Sequence, residues 1–326
     1  MKKLFNLTAA ALTLSLSLFS ASAIAQEAAK IPSPIKIVVP FSPGASTDVS
    51  ARAVASLLSK ELGVDVIVEN KPGASGMIGA RAVVNGAKNG SELLVVSNSL
   101  ITAAATLRNM TFDVTKDLVP VGVLGEGEMI VTVPANSPIK TPQDLVDAAK
   151  ANPGKLNYGS AGTGTIMHMA VELFAEKAGG VKLTHIPYKG ASQAVVDMTA
   201  GTLDMLLGAY ATFGPVLDAG RARAIAVTTE KPSKTFPDLP TMASAAPGYH
   251  TDIWIALWAP AGVPDDVMKR LNEAVVKVTH SDEYAHILTS AGHQASRATP
   301  AELQERVRKE YDAWKQVAKT NNIVID

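Results

Sequence analysis

The chain of 326 residues carries 30 Lys plus Arg against 30 Asp plus Glu, a formal net charge of +0, which leaves no basic field to draw nucleic acid or an anionic membrane surface. It has no cysteine, which excludes a disulfide framework and a cysteine-borne lipid anchor. Charged residues make up 18% and hydrophobic ones 47%; with charge below the usual ~25%, the composition points to well-filled cores, and the length to about two domains.

Residues 1–25 read as a signal peptide. Lys2 and Lys3 give a basic start, Leu4 to Phe19 is mostly apolar, and Ala23-Ile24-Ala25 has the small-x-small form that precedes cleavage. The expected cut falls before Gln26, and the apolar run is short of the roughly 20 residues that a spanning helix needs. The mature chain is expected to be exported and, without Lys2 and Lys3, slightly acidic.

Ile35 to Val39 is β-branched, short and closed by Pro40, which predicts a buried strand. Val54, Leu57, Leu58 and Leu62 then fall at helical spacing, with Gly63 as the stop. A strand over 64–68, the turn Asn70 to Gly73, a helix around 77–84 and a strand over 93–96 follow. This alternation predicts a doubly wound α/β unit. The same grammar restarts with helices at 144–149, 165–178 and around 194–198, a further helix before Gly220, and strands at 156–158, 183–187, 203–207 and 224–227. The stretches 119–133 and 227–255 read as two crossings, so the first domain (26–128 plus 249–326) is expected to be interrupted by the second (129–248). Helices at 267–278 and 301–318 would return to the first. The fold class is therefore α/β: two doubly wound domains joined by two crossing segments.

The stretch 158-YGSAGTGTIMH-168 places Gly159, Gly162 and Gly164 at the mouth of a predicted helix. Helix N-terminal N–H groups lack acceptors within the helix and sit at its positive end, so such a turn suits an anion. It lacks the lysine of a phosphate loop, the third glycine of a dinucleotide fingerprint (Met167 stands there) and one glycine of a nucleophile elbow around Ser160 (Tyr158 stands there). An ordinary strand-to-helix turn is the plain alternative. The loop 40-PFSPGASTDVSAR-52 is its counterpart in the first domain, with Ser46, Thr47 and Asp48 all competent caps. Asp48 either caps the helix or accepts from a ligand with something to donate. An exported hydrolase using Ser160 with Asp197 or Asp204 and His250 is a competing reading. The six histidines are scattered without metal-ligand spacing, and neither metal nor cofactor is expected.

PFSPGASTD, ENKPGASG, a strand ending in SNS, ANPGKLNYGSAGTGT, HIPYKG, AGTLDM, AGRARAIAVTT, FPDLPT and APAGVP occur in this order over essentially the whole mature chain. This series resembles the Bug-type solute receptors of tripartite tricarboxylate transporters. The resemblance implies a two-lobed, type II periplasmic binding protein, monomeric and not an enzyme, that closes on a small organic acid and delivers it to membrane permease subunits; a sensor kinase is the alternative partner. It further implies that the loops Phe41, Ser42, Gly44, Ala45, Ser46, Thr47, Asp48 and Ser160, Ala161, Gly162, Thr163, Gly164, Thr165 hold a ligand carboxylate, with Asn98 of the SNS motif, His168 and Tyr188 nearby. His168 either touches the ligand or makes a structural hydrogen bond across the helix start. Two departures bear on the ligand: Gly44-Ala45 replaces the family's usual paired glycines, and Gly208 stands where an aspartate is often found. Loss of that carboxylate is expected to open the far end of the site, with Trp254 either covering a ring there or packing the interdomain wall.

Overall fold

The β-branched runs form strands, and the amphipathic runs between them form helices, in the computed structural model of the protein. It describes residues 30–325; the expected signal peptide lies outside them. Ten strands, β1 (Ile35–Val39), β2 (Val66–Asn70), β3 (Glu92–Ser97), β4 (Leu118–Gly127), β5 (Met129–Pro134), β6 (Asn157–Ser160), β7 (Thr184–Pro187), β8 (Met205–Ala209), β9 (Ala222–Val227) and β10 (Ile253–Pro260), make two sheets among the described residues. Their order is β2-β1-β3-β10-β4 in the first and β7-β6-β8-β5-β9 in the second. The helices are α1 (Ser46–Leu62), α2 (Met77–Val84), α3 (Ser99–Thr106), α4 (Pro142–Ala151), α5 (Ile166–Lys177), α6 (Ala191–Thr199), α7 (Tyr210–Asp218), α8 (Asp265–Thr279), α9 (Asp282–Ser290) and α10 (Pro300–Thr320). From Ile31 onward the chain forms one compact unit.

Each sheet is completed by a strand that enters from the other. β4 ends the first sheet at Gly127 and β5 opens in the second at Met129; β9 ends there at Val227 and β10 returns to the first. Both entering strands run antiparallel to their neighbours, β5 to β8 and β9, β10 to β3 and β4. Thr228 ties the two crossings together: its Oγ1 accepts from Met129 N (3.0 Å), its N–H donates to Met129 O (3.0 Å), and its carbonyl accepts from Thr251 N (3.1 Å).

Both stretches read as crossings contain strand. The whole of 119–127 belongs to β4, whose Pro120, Gly122 and Gly125 hide its alternation. The glycines make room for helices packed on the strand: a Cβ at Gly122 would stand 2.8 Å from Val275 Cγ1, and one at Gly125 2.6 Å from Leu288 Cδ2, so either would push a packed side chain aside. The strand expected at 203–207 runs from Met205 to Ala209, which puts Gly208 inside the sheet rather than after it. Helix α3, absent from the sequence reading, is buried over all eight residues, so it has no polar face to mark it.

Helix α10 serves both sheets. Leu303 and Val307 near its start pack with the first sheet's core, around Val96, Trp254 and Trp258. Trp314 and Ala318, two turns further on, join the second sheet's core with Phe174, Leu207 and Tyr249. The helix opens on Pro300 behind a capping box, in which Thr299 Oγ1 accepts from Glu302 N (3.2 Å) and Glu302 Oε2 accepts from Thr299 N (2.8 Å). Thr299→Ala removes the cap's acceptor, so the expected loss is about 1 kcal/mol of stability. Urea unfolding measures it; a change within a few tenths would show that the ends of α10 are held by packing alone.

Candidate functional site

Five helices, α1, α3, α5, α6 and α7, begin where strands of the two sheets end, and all five point their first turns at one gap between the sheets. Ser46 and Thr47 of α1, Ser99 of α3, Ile166 and Met167 of α5, Ala191 of α6 and Thr212 of α7 line a cavity of about 30 Å³. Phe41, Ala45, Ser97, Ala161, Ala209 and Ile253 complete its wall. Among these described residues none carries a formal charge. The positive character of the site comes from backbone instead, because first-turn N–H groups have no acceptor within their own helix and lie at its positive end. Thr47 Oγ1 is buried without a hydrogen-bond partner.

The cavity admits about one water molecule, because the loops of the two sheets clasp each other around it. Ser75 Oγ donates to Thr163 O (2.6 Å), Ser192 Oγ to Pro43 O (3.1 Å), and Ile166 N to Ser99 Oγ (3.2 Å). Ser75 reaches across because Ala74 and Ser75 turn the chain at φ 45° and 53°, a left-handed conformation that costs energy in residues with a side chain. Opposite it Gly162 is at φ 133°, and a Cβ there would lie 2.8 Å from Ser75 Oγ.

A family model described as "Tripartite tricarboxylate transporter family receptor" matches residues 50–323. The chain belongs to this receptor family. The "UPF0065 protein in tcbD-tcbE intergenic region" of Pseudomonas sp. (strain P51) is 33% identical over 307 residues, 93% of this chain and 91% of that one. An R. palustris protein solved with adipate superposes with a TM-score of 0.85 at 32% identity, covering 89% of this chain and 97% of that one. The periplasmic binding protein BugD gives 0.84 at 29% identity, covering 89% and 98%. The family is one of solute-binding receptors, not enzymes, and the two-lobed α/β fold expected from the sequence is the fold of these relatives.

In this receptor the residues expected to hold a ligand fall into four groups. Phe41, Ala45, Ser46, Thr47 and Ala161 line the cavity. Ser42, Gly44, Gly162 and Thr163 stand at the seam: Ser42 Oγ donates to Lys189 O at 3.5 Å, and a Cβ on Gly44 would meet Ser192 Oγ at 3.4 Å. Ser160, Gly164, Thr165, His168 and Tyr188 shape the glycine turn from behind. Ser160 Oγ lies 2.6 Å from His185 Nε2 and accepts from Gly162 N (3.1 Å); Thr165 Oγ1 donates to Gly162 O (2.7 Å); His168 Nδ1 accepts from Gly164 N (3.0 Å). His168 thus takes the structural role, a hydrogen bond across the helix start. Tyr188 N donates to Ser160 O (3.0 Å) while its hydroxyl is held by Asp197 (2.5 Å).

The fourth group, Asp48, Asn98, Gly208 and Trp254, lies off the cavity wall. Asp48 neither caps its helix nor presents a free acceptor. Its Oδ2 accepts from Gly44 N (3.0 Å) and Arg52 Nε (3.0 Å), and its Oδ1 from Asn70 Nδ2 (2.8 Å) and Arg52 Nη2 (3.0 Å). Burial alone would raise its pKa, but the bonds from Arg52, Gly44 and Asn70 hold it below the usual range. Asn98 turns away from the cavity, and its flanking serines 97 and 99 face it instead. Gly208 opens no space, because Met167 Cε and Phe213 Cζ stand 3.3 Å from where its Cβ would be. Trp254 is fully buried, lies tilted against Trp258 with ring centroids 6.2 Å apart and donates Nε1 to Glu310 (3.0 Å), so it packs rather than covers a ring. The wall residues Ser97, Ser99, Ile166, Met167, Ala191, Ala209, Thr212 and Ile253 were not anticipated. Their common signal is position, at a strand end or in the first helical turn after it.

Behind the glycine turn, Tyr158, His185 and His168 stack, the two imidazoles 3.9 Å apart between centroids. Burial pushes His168 down to about 3, with His185 adding to the effect, and burial alone pushes His185 to about 4. His293, whose ring nitrogens are both buried without partners, is likewise pushed by burial to about 4. All three are neutral in the folded chain, whereas unfolding restores the ordinary value of 6.5. The unfolded state therefore binds more protons between that value and 4, and stability is full above pH 6.5 and falls as pH drops through this window. At pH 5 each such histidine costs about 2 kcal/mol. Urea unfolding at pH 7.5 and 5.0 is expected to show the loss, and His293→Phe to recover about 2 kcal/mol of the difference. Equal stability at both pH values would mean that these rings are not held neutral.

Proposed function

We propose that the protein is a periplasmic receptor that captures a small organic carboxylate in the gap between its two lobes and delivers it to the permease subunits of a tripartite tricarboxylate-type transporter. The observation that carries this reading is the convergence of five helix N-termini on a wall without charged side chains. Such a site selects an anion through fixed N–H dipoles, and its buried acceptor-donor Thr47 Oγ1 is still to be satisfied. The adipate-bound R. palustris relative supports the ligand class. The lobes are taken as 26–128 plus 249–326 against 129–248, and the receptor as a monomer that reaches its compartment through the signal peptide at 1–25.

Ligand class follows from what the wall lacks. An amino acid brings an ammonium group, which needs an acceptor with negative charge, and Asp48 is fully engaged by Arg52, Asn70 and Gly44. Dicarboxylates, tricarboxylates or aromatic carboxylates are therefore expected to bind at least tenfold more tightly than aspartate or glutamate, a margin of about 1.4 kcal/mol. A thermal-shift screen of these acids followed by calorimetry of succinate against aspartate measures it; preference for aspartate would overturn the assignment. Gly162→Val sets a branched side chain against Ser75 at the seam, where even a Cβ comes within 2.8 Å of Ser75 Oγ. It is expected to weaken binding more than tenfold and to abolish ligand-induced compaction measured by solution scattering, and, because Gly162 sits at φ 133°, to lower the melting temperature of the free protein as well, so binding is measured well below that temperature. Wild-type affinity in this variant would show that closure does not bring the two loops together.

A further inference from the structure

A second, larger cavity of about 480 Å³ lies directly behind the cleft. A thin wall of backbone separates the two. Ser97 and Ser99 face the cleft while Asn98 between them faces the rear; Ile253 faces the cleft while Asp252 beside it faces the rear. The rear cavity takes its walls from loops and helices that flank the two sheets. Asn98 follows β3, Leu173 belongs to α5, Asp252 to the second crossing, and Trp314 and Val317 to the bridging helix α10.

Its chemistry is the reverse of that of the cleft. Leu173, Trp314 and Val317 form an apolar wall, and Glu230, Asp252 and Glu310 bring three carboxylates against one guanidinium, that of Arg306. Arg306 is already committed: Nη2 bonds Asp252 Oδ2 (2.6 Å), Nε bonds Glu310 Oε1 (2.6 Å), and Nη1 reaches Glu126 at 3.4 Å. Asn98 is 1% exposed; its Nδ2 donates to Asp252 O (3.1 Å), and its Oδ1 is buried with no partner. An unfilled buried acceptor is costly until a donor reaches it, and a surplus of negative charge beside an apolar wall favours a donor that is also a cation. Glu230, His250 and Ala313 at the rim are exposed, which gives access from solvent.

We propose that this rear cavity is a second binding site, for a small organic ammonium ion with an apolar body. The ammonium group lies among the carboxylates beside Asn98, whose buried Oδ1 it reaches once the amide turns toward the cavity, and the apolar body lies against Leu173, Trp314 and Val317. The inference is independent of the carboxylate reading of the cleft. Calorimetry of the mature chain with benzylamine tests it, with benzyl alcohol as the neutral control of like shape. Saturable one-to-one binding is expected, at least tenfold tighter for the amine. Glu310→Gln, which removes one carboxylate, is expected to weaken the amine several-fold, and Ala313→Trp, which fills the rim from an exposed position and so spares the core, at least tenfold. Absence of saturable binding, equal affinity for the alcohol, insensitivity to Ala313→Trp, or displacement of benzylamine by succinate or adipate would each overturn the assignment, the last by placing the amine in the cleft. Loss of carboxylate binding alone would leave it standing.

Discussion

The amide groups of a helix's first turn cannot be satisfied by the helix that contains them, and in this protein five such turns face one another. Everything around the cleft follows from keeping those amides aimed and dry. A charged side chain would bring its own hydration and its own flexibility. Backbone dipoles fixed by a helix cost no reorganisation when an anion arrives. The site therefore needs rigid support more than it needs reactive groups, and its polar residues are spent accordingly.

Each of the two loops that carry the principal amides is braced from behind by a polar network of a different kind. In the first lobe the brace is ionic, with Asp48 gripping Gly44 N on one side and Arg52 and Asn70 on the other. In the second it is neutral, with the imidazoles of His168 and His185 bonding Gly164 N and Ser160 Oγ. A neutral brace suits the second loop, since a protonated imidazole could not accept from Gly164 N. Ser160, a candidate nucleophile by residue type, is consumed in this support: fully buried, it bonds His185 and Gly162.

The sequence was legible where local rules govern. Alternation of β-branched runs with amphipathic helices disclosed both α/β units, and the motif series disclosed the family. It was less legible wherever a residue's direction depends on a neighbour far along the chain. Asp48 reads as an available acceptor until Asn70, 22 residues on, is seen to close it off. Gly208 reads as space until Met167 and Phe213 are found to fill it. Asn98 reads as part of the SNS motif, but the chain leaves β3 at Ser97 and turns into α3 through Asn98, whose φ of -56° and ψ of -5° are helical; this turn puts Ser97 and Ser99 on the cleft and Asn98 behind it. Which side of the turn holds the cleft depends on β10, which pairs with β3 from more than 150 residues away.

The position of β10 also governs how the chain acquires its structure. β10 lies between β3 and β4, so the first sheet is split in two until residue 260 is in place. All five strands of the second sheet, from Met129 to Val227, are contiguous and complete before then. In a chain emerging from its N-terminus, the lobe begun first is thus the lobe finished last. Until then β3 and β4 each keep an unpaired edge, the kind of exposed template that invites pairing with another chain. Long sequence separation between β3 and its partner raises the loop-closure cost of that pairing, so the burden of avoiding aggregation falls on the interval before a single strand returns.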